Sequence, residues 1–102
     1  MKQKSSKLIK LERNRYSILT DDLESCYICK SPNADIHEIY GGRNRKVSMA
    51  NGFCLPLCRH HHQIVETYAH ADFHFKELCQ IEFEKTHTRD EFMQLIGRNY
   101  RD

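Results

Sequence analysis

Apolar positions along this chain come in short runs, each broken by polar residues or glycines. Residues 1–6 are polar, charged and terminal, and predict no regular structure. Leu8, Ile9 and Leu11 predict a short helix that passes into an extended "YSIL". Residues 21–35 read as a turn followed by a tight cysteine loop, with Ser31, Pro32 and Asn33 as the turn chemistry. "DIHEIY" alternates around Ile36 and predicts a short strand that ends at Gly41 and Gly42. "NRKVSMANG" predicts a loop, and "FCLPL" a second short strand in which Pro56 demands an edge position or a bulge. Between Gln63 and Lys85 the pattern is mostly helical, with Phe75, Leu78, Cys79 and Phe83 near one face. Thr88 with Glu91 three residues on forms a capping box for a last helix, and Gly97 supplies its stop. Two short strands with helices around them predict a small α+β domain.

Composition sharpens that picture. At 102 residues, 39% of them hydrophobic, the chain has little material for a core. Such domains commonly need a metal or disulfides as reinforcement. Five cysteines offer either route. Their odd number, the absence of a signal-peptide pattern at "MKQKSSKLIK" and the lack of a long apolar run point to a cytoplasmic chain without a membrane segment. Reduced cysteines beside histidines then read as metal ligands. Net charge is only +2, but its distribution is uneven. Residues 1–15 carry Lys2, Lys4, Lys7, Lys10, Arg13 and Arg15 against Glu12 alone. From Ile39 to Val65, Arg43, Arg45, Lys46 and Arg59 meet no acid. Basic segments beside a metal site suggest a polyanion, most simply nucleic acid. A basic, partly flexible segment at 1–15 and a folded domain at 16–102 follow as the organisation.

The metal site has a specific pattern. Cys26 and Cys29 form a C-x2-C pair, and Cys58 with His61 repeats that spacing after 28 intervening residues. Two such knuckles converging make a closed Cys3His set for structural zinc. Cys54 and His60 compete for the second half-site, and the equal spacing favours Cys58 with His61. Cys54 and Cys79 then read as small buried apolar residues, and His60 as a spacer.

With His61 on zinc, His62 points away from the knot, and His37 sits on the predicted strand with Asp35 on its face. A strand histidine and a helix histidine brought together could hold a divalent cation or activate water. Phosphodiester hydrolysis needs such groups and positive charge around the strand being cut.

At these residues the chain resembles the HNH endonucleases, the ββα-metal nucleases, and specifically the small HNH proteins of phages and prophages of Gram-positive bacteria. The resemblance runs through "SILTDDLESCYIC", "DIHEIYGGRNRKVS", "GFCLPLCRHHH" and "FEKTHTRDEFMQLIGRNY", from about Ser17 to Tyr100. It implies a small ββα-metal core with a structural zinc knuckle pair and flanking helices, a catalytic Mg2+ or Mn2+ ion, and DNA cleavage. Where the family's first strand carries His-His-Ile or Asp-His-Ile, this chain has His37-Glu38-Ile39. That places His37 at the metal-binding position and Glu38 where the base histidine stands. Either Glu38 is the base, or His37 is, with Asp35 helping to hold the cation. His62 matches the helix histidine that binds the cation. Glu66, one turn on, and His70 are candidates for a further ligand, and the resemblance favours His70. Asn44 stands in for the bracing asparagine, with Asn51 the alternative. Arg43, Arg45 and Lys46 would line the phosphate backbone.

The resemblance therefore implies a metal-dependent DNA endonuclease, phage-encoded, acting in the host cytoplasm, with phage replication or packaging proteins as further partners. The alternative is a zinc-stabilised DNA-binding accessory protein, weak or inactive in cleavage, favoured by the missing second histidine before Ile39. A zinc-stapled adaptor between proteins is a third reading, and the basic loop counts against it.

Overall fold

The computed structural model describes residues 6–101. Five helices surround a two-stranded antiparallel sheet: α1 (Ser6–Arg13), β1 (Asp35–Glu38), α2 (Arg45–Asn51), β2 (Cys54–Leu57), α3 (Arg59–Thr67), α4 (Ala69–Phe83) and α5 (Arg89–Ile96). No helix among the described residues is long and apolar enough to cross a membrane. The expectation for residues 1–5 lies outside the described residues, and Ser6, expected to be irregular, is the first residue of α1.

The strands pair with Asp35 opposite Leu57, Ile36 opposite Pro56, His37 opposite Leu55 and Glu38 opposite Cys54. Residues directly opposite share a face, so His37 and Asp35 lie with Leu55 and Leu57, while Glu38 lies with Cys54 and Pro56. The expected edge proline is accommodated simply. The Pro56 carbonyl accepts from Tyr27 N on the side away from β1, so its missing N–H removes no ladder bond.

"NRKVSMANG" is not a loop. A 3-10 turn at Gly42–Asn44 leads into α2, which ends on Gly52 in the left-handed region at φ 73. A side chain at Gly52 would meet the Tyr16 ring at 2.6 Å, so glycine is required there on two counts. The helix is only 7 residues long and buries just Ser48 and Met49, too few positions for a periodic signal. Ser48 is held by Tyr40, donating to its carbonyl and accepting from its N–H. The long helix expected after the histidines is in fact two, broken at Tyr68 (φ −106, ψ 114). Val65 is buried before the break, and Phe75, Cys79, Gln80 and Phe83 after it.

Tyr40, Phe53, Phe83 and Phe92 form the centre of the core, with ring centroids 5.4–5.9 Å apart in the Tyr40–Phe53, Tyr40–Phe92, Phe53–Phe83 and Phe83–Phe92 pairs. The capping box of α5 forms as expected from Thr88 and Glu91, and Gly97 takes φ 86. Residues 98–101 close the core from outside. The Tyr100 ring lies tilted at 5.5 Å from that of Tyr40 and the Tyr100 N–H donates to the buried Gln80 side chain, while Arg101 pairs with Glu84.

Cys54 and Cys79 are fully buried, as expected of small apolar residues. Burial pushes the Cys54 thiol up to about 11 and the Cys79 thiol up to about 12, from 9.0. The unfolded chain therefore releases these protons first as pH rises. Their contribution to stability is whole below about pH 9 and is lost as pH climbs through the folded values. Melting temperatures should fall between about pH 9 and 11, and the fall should be shallower in Cys54→Ala; equal slopes would refute this cause.

Candidate metal centre and histidine cleft

The first cysteine loop is closed by local bonds, Lys30 N to Cys26 O at 2.9 Å and Cys26 N to Ser31 O at 2.8 Å, with Lys30 turned left-handed at φ 65. Cys58 is the N-cap of α3, so His61 stands one helical turn beyond it on the same side. The ligand atoms of Cys26, Cys29, Cys58 and His61 all lie within 4.8 Å of one another. The Cys29–Cys58 Sγ separation is 3.7 Å, and His61 Nδ1 lies 3.6 Å from Cys26 Sγ and 3.2 Å from Cys58 Sγ. Zinc–sulfur and zinc–nitrogen bonds of about 2.3 and 2.0–2.1 Å give tetrahedral edges of about 3.8 and 3.6 Å. The cluster fits zinc in both dimensions and donor chemistry.

Electrostatics point the same way. Burial pushes the Cys26 thiol up, but backbone groups of Cys29, Cys58 and Ile28 outweigh it and bring it to about 6. The Ser31 hydroxyl leads the groups that hold Cys29 below its ordinary value. The His61 backbone pulls Cys58 down, but burial and the other two sulfurs leave it raised. A cation at the centre removes that conflict, since thiolates are its ligands.

Beside this cluster, β1 and α3 bring His37 and His62 together, with rings 5.1 Å apart in an edge-to-face arrangement. His62 is flanked on both sides. Its Nδ1 lies 3.7 Å from Asp35 Oδ2 and its Nε2 3.1 Å from Glu66 Oε1. Arg59 pairs with the same Asp35 oxygen at 3.3 Å. Asp35, Arg59, His62, Gln63 and Glu66 line an open cleft of about 370 Å3. His37 Nε2 is buried with no hydrogen-bond partner. Burial lowers the His37 pKa below the ordinary 6.5, His62 adds to this, and the carboxylates of Asp72, Glu38 and Glu66 oppose it. His37 is thus held neutral.

The other expected site residues are scattered around this pair. Glu38 lies on the opposite face of β1, ion-paired with Arg15. His70 is exposed on α4 with its ring 5.9 Å from Tyr68; among the described residues the Cys3His quartet is the one close group of three or more ligand atoms. Glu66 occupies the place beside His62 that the resemblance gave to His70. Asn44 Nδ2 donates to the Ile96 carbonyl at 3.1 Å and so ties the turn before α2 to α5. Asn51 donates only within its own helix, to Val47 O. Arg43 and Lys46 are exposed, whereas Arg45 reaches Glu12 at 3.4 Å. His60 is exposed. Sequence reasoning counted Arg59 among the basic residues without a place at the cleft, and did not single out Asp72, which pairs with Lys76 at 2.7 Å. The period of α3 places Arg59 and His62 three apart on one face, a signal that was present; Asp72 comes from across the Tyr68 break, which was not.

No protein-family model, no curated protein and no solved structure matches the chain.

Proposed function

We propose that the chain is a metal-dependent DNA endonuclease of the HNH type, with structural zinc at the Cys3His cluster and a separate divalent cation in the histidine cleft. The observation that carries this is the pairing of His37 with His62, rings 5.1 Å apart, where β1 meets α3 beside the cluster. His62 turns one ring nitrogen to Asp35 and the other to Glu66, and either imidazole–carboxylate pair would supply two donors to a Mg2+ or Mn2+ ion that completes its shell with water and phosphate oxygens. Bound there, such a cation supplies charge neutralisation at the scissile phosphate. His37, neutral and with an unpartnered ring nitrogen, accepts the proton of the attacking water. Arg59 adds positive charge at the rim and orients Asp35. Glu38 is a structural carboxylate in this reading, because its face and its partner Arg15 keep it away from His62.

The test is nicking of supercoiled plasmid by the purified chain with Mg2+ or Mn2+. Wild-type nicking should vanish when the divalent cation is left out and in His37→Ala. Nicking that survives His37→Ala would sink the assignment. The second reading, a zinc-stabilised DNA-binding protein without cleavage, is supported by the carboxylate at the position after His37. Salt-sensitive DNA retention without nicking in either metal would establish it instead.

A further inference from the structure

Helix α1 carries an exposed basic face that nothing in the fold uses. Lys7, Lys10 and Arg13 stand three residues apart, so they share one side of the helix, and all three are exposed. Leu8 and Leu11 are partly buried, and α1 packs against α2. Both acidic groups within reach are committed inward. Glu12, the only acid in α1 or α2, pairs with Arg45 at 3.4 Å. Glu38 on β1 pairs with Arg15, just past the end of α1. Exposed Arg43 and Lys46 continue the positive charge beyond α1 to α2 and the turn before it.

We propose that this face, Lys7, Lys10 and Arg13 together with Arg43 and Lys46, docks the phosphate backbone of duplex DNA, with Glu12 and Glu38 as the carboxylates that fix α1 in place for it. The proposal rests on the nucleic-acid reading of the cleft and adds where the duplex is held. Charge complementarity selects the occupant. Five cations that form no ion pair with a carboxylate among the described residues match a polyphosphate, and each phosphate neutralised releases counterions. A membrane surface is a poorer match, because an interfacial helix needs a broad apolar side and Ile9, 43% exposed, is the sole large exposed apolar residue of α1. Contacts of this kind position the chain on DNA without reading sequence. Anchored at both Glu12 and Glu38, the surface is presented as part of the domain and not as a loose tail.

The test is binding to a labelled DNA duplex two helical turns long, followed by fluorescence anisotropy over a series of salt concentrations without added Mg2+ or Mn2+. The triple variant Lys7→Gln, Lys10→Gln, Arg13→Gln should bind at least about tenfold more weakly at low salt. Its log–log salt slope should be shallower by about 0.9 for each phosphate no longer neutralised, roughly 2–3 in all. Lys85→Gln, which removes an exposed charge elsewhere, should leave both quantities unchanged. Zinc content and melting temperature of the triple variant verify that it is folded. An unchanged slope and affinity would overturn the surface even if the chain still nicks plasmid. No DNA binding by the wild type, or retention on phosphatidylserine vesicles in place of DNA, would overturn it as well. A shallower slope in the triple variant, with no nicking by the wild type in any metal, keeps the surface and removes only the catalytic reading.

Discussion

Cys58→Ala, or prolonged exposure to a strong chelator, is expected to unfold the domain and not merely to soften it. The cluster joins the loop before β1 to the end of β2 and the first turn of α3, so it pins the pieces that make the sheet. Structural zinc in small domains contributes an apparent ~10–16 kcal/mol, as much as or more than the whole of a domain's usual stability of about 5–15 kcal/mol. With 39% hydrophobic residues, this chain has little core to make up such a loss. Metal analysis should find about one tightly held zinc per chain in the wild type and almost none in Cys58→Ala, with loss of the helical circular dichroism signal at ambient temperature. Acid should act in the same direction. Protons compete with the metal for the thiolates, so zinc retention falls as pH falls, Cys26 being protonated only as pH drops through about 6. Cys79→Ala, which touches no ligand, should keep its zinc. A Cys58→Ala protein that folds normally and still binds zinc would refute the assignment.

His62→Ala and Glu38→Gln should separate the two faces of β1 in one assay. His62 sits between Asp35 and Glu66, so its loss should remove the cation site and cost at least about 100-fold in nicking rate, within the range of 10²–10⁴ typical of a lost acid–base or positioning group. Glu38→Gln should leave the chemical step within a few-fold of wild type, while lowering the melting temperature by weakening a partly buried pair with Arg15. The pH profile gives an independent reading. If His37 takes the proton, activity should fall in acid with a midpoint below the ordinary histidine value of 6.5, because burial favours its neutral form. Inactive but fully folded Glu38→Gln, with His62→Ala still active, would reverse the roles assigned here.

How much of this was legible in the sequence depended on whether a feature is local. Each C-x2-C/H knuckle and the capping box of α5 rest on spacing within a few residues and stand where that spacing put them, while the strand around Ile36 was legible from its own alternation although it pairs with β2 some twenty residues on. Helix α2 rests on Ser48 reaching Tyr40 and on Tyr16 crowding Gly52, contacts that cross 8 and 36 residues, respectively, and leave no periodic trace. The break at Tyr68 likewise leaves no mark in the apolar spacing, which runs on from Val65 to Phe75. Glu38 is a different case. Strand alternation places it on the opposite face from His37, whereas alignment on Ile39 makes it a candidate base. Residues 98–101, whose packing partners the sequence does not reveal, cover Tyr40 through Tyr100 and are tied down through Gln80 and Glu84.

The Arg15–Glu38 pair also guards against a strand slip. Moving β1 by one residue would exchange its faces, turning Glu38 toward α3 and His62 and sending His37 to meet a guanidinium. Four-residue strands offer few ladder bonds to forbid such a shift. The penalty falls instead on a stranded Arg15, and with it the correct pairing of imidazole with imidazole is enforced by a charge on the far side of the sheet.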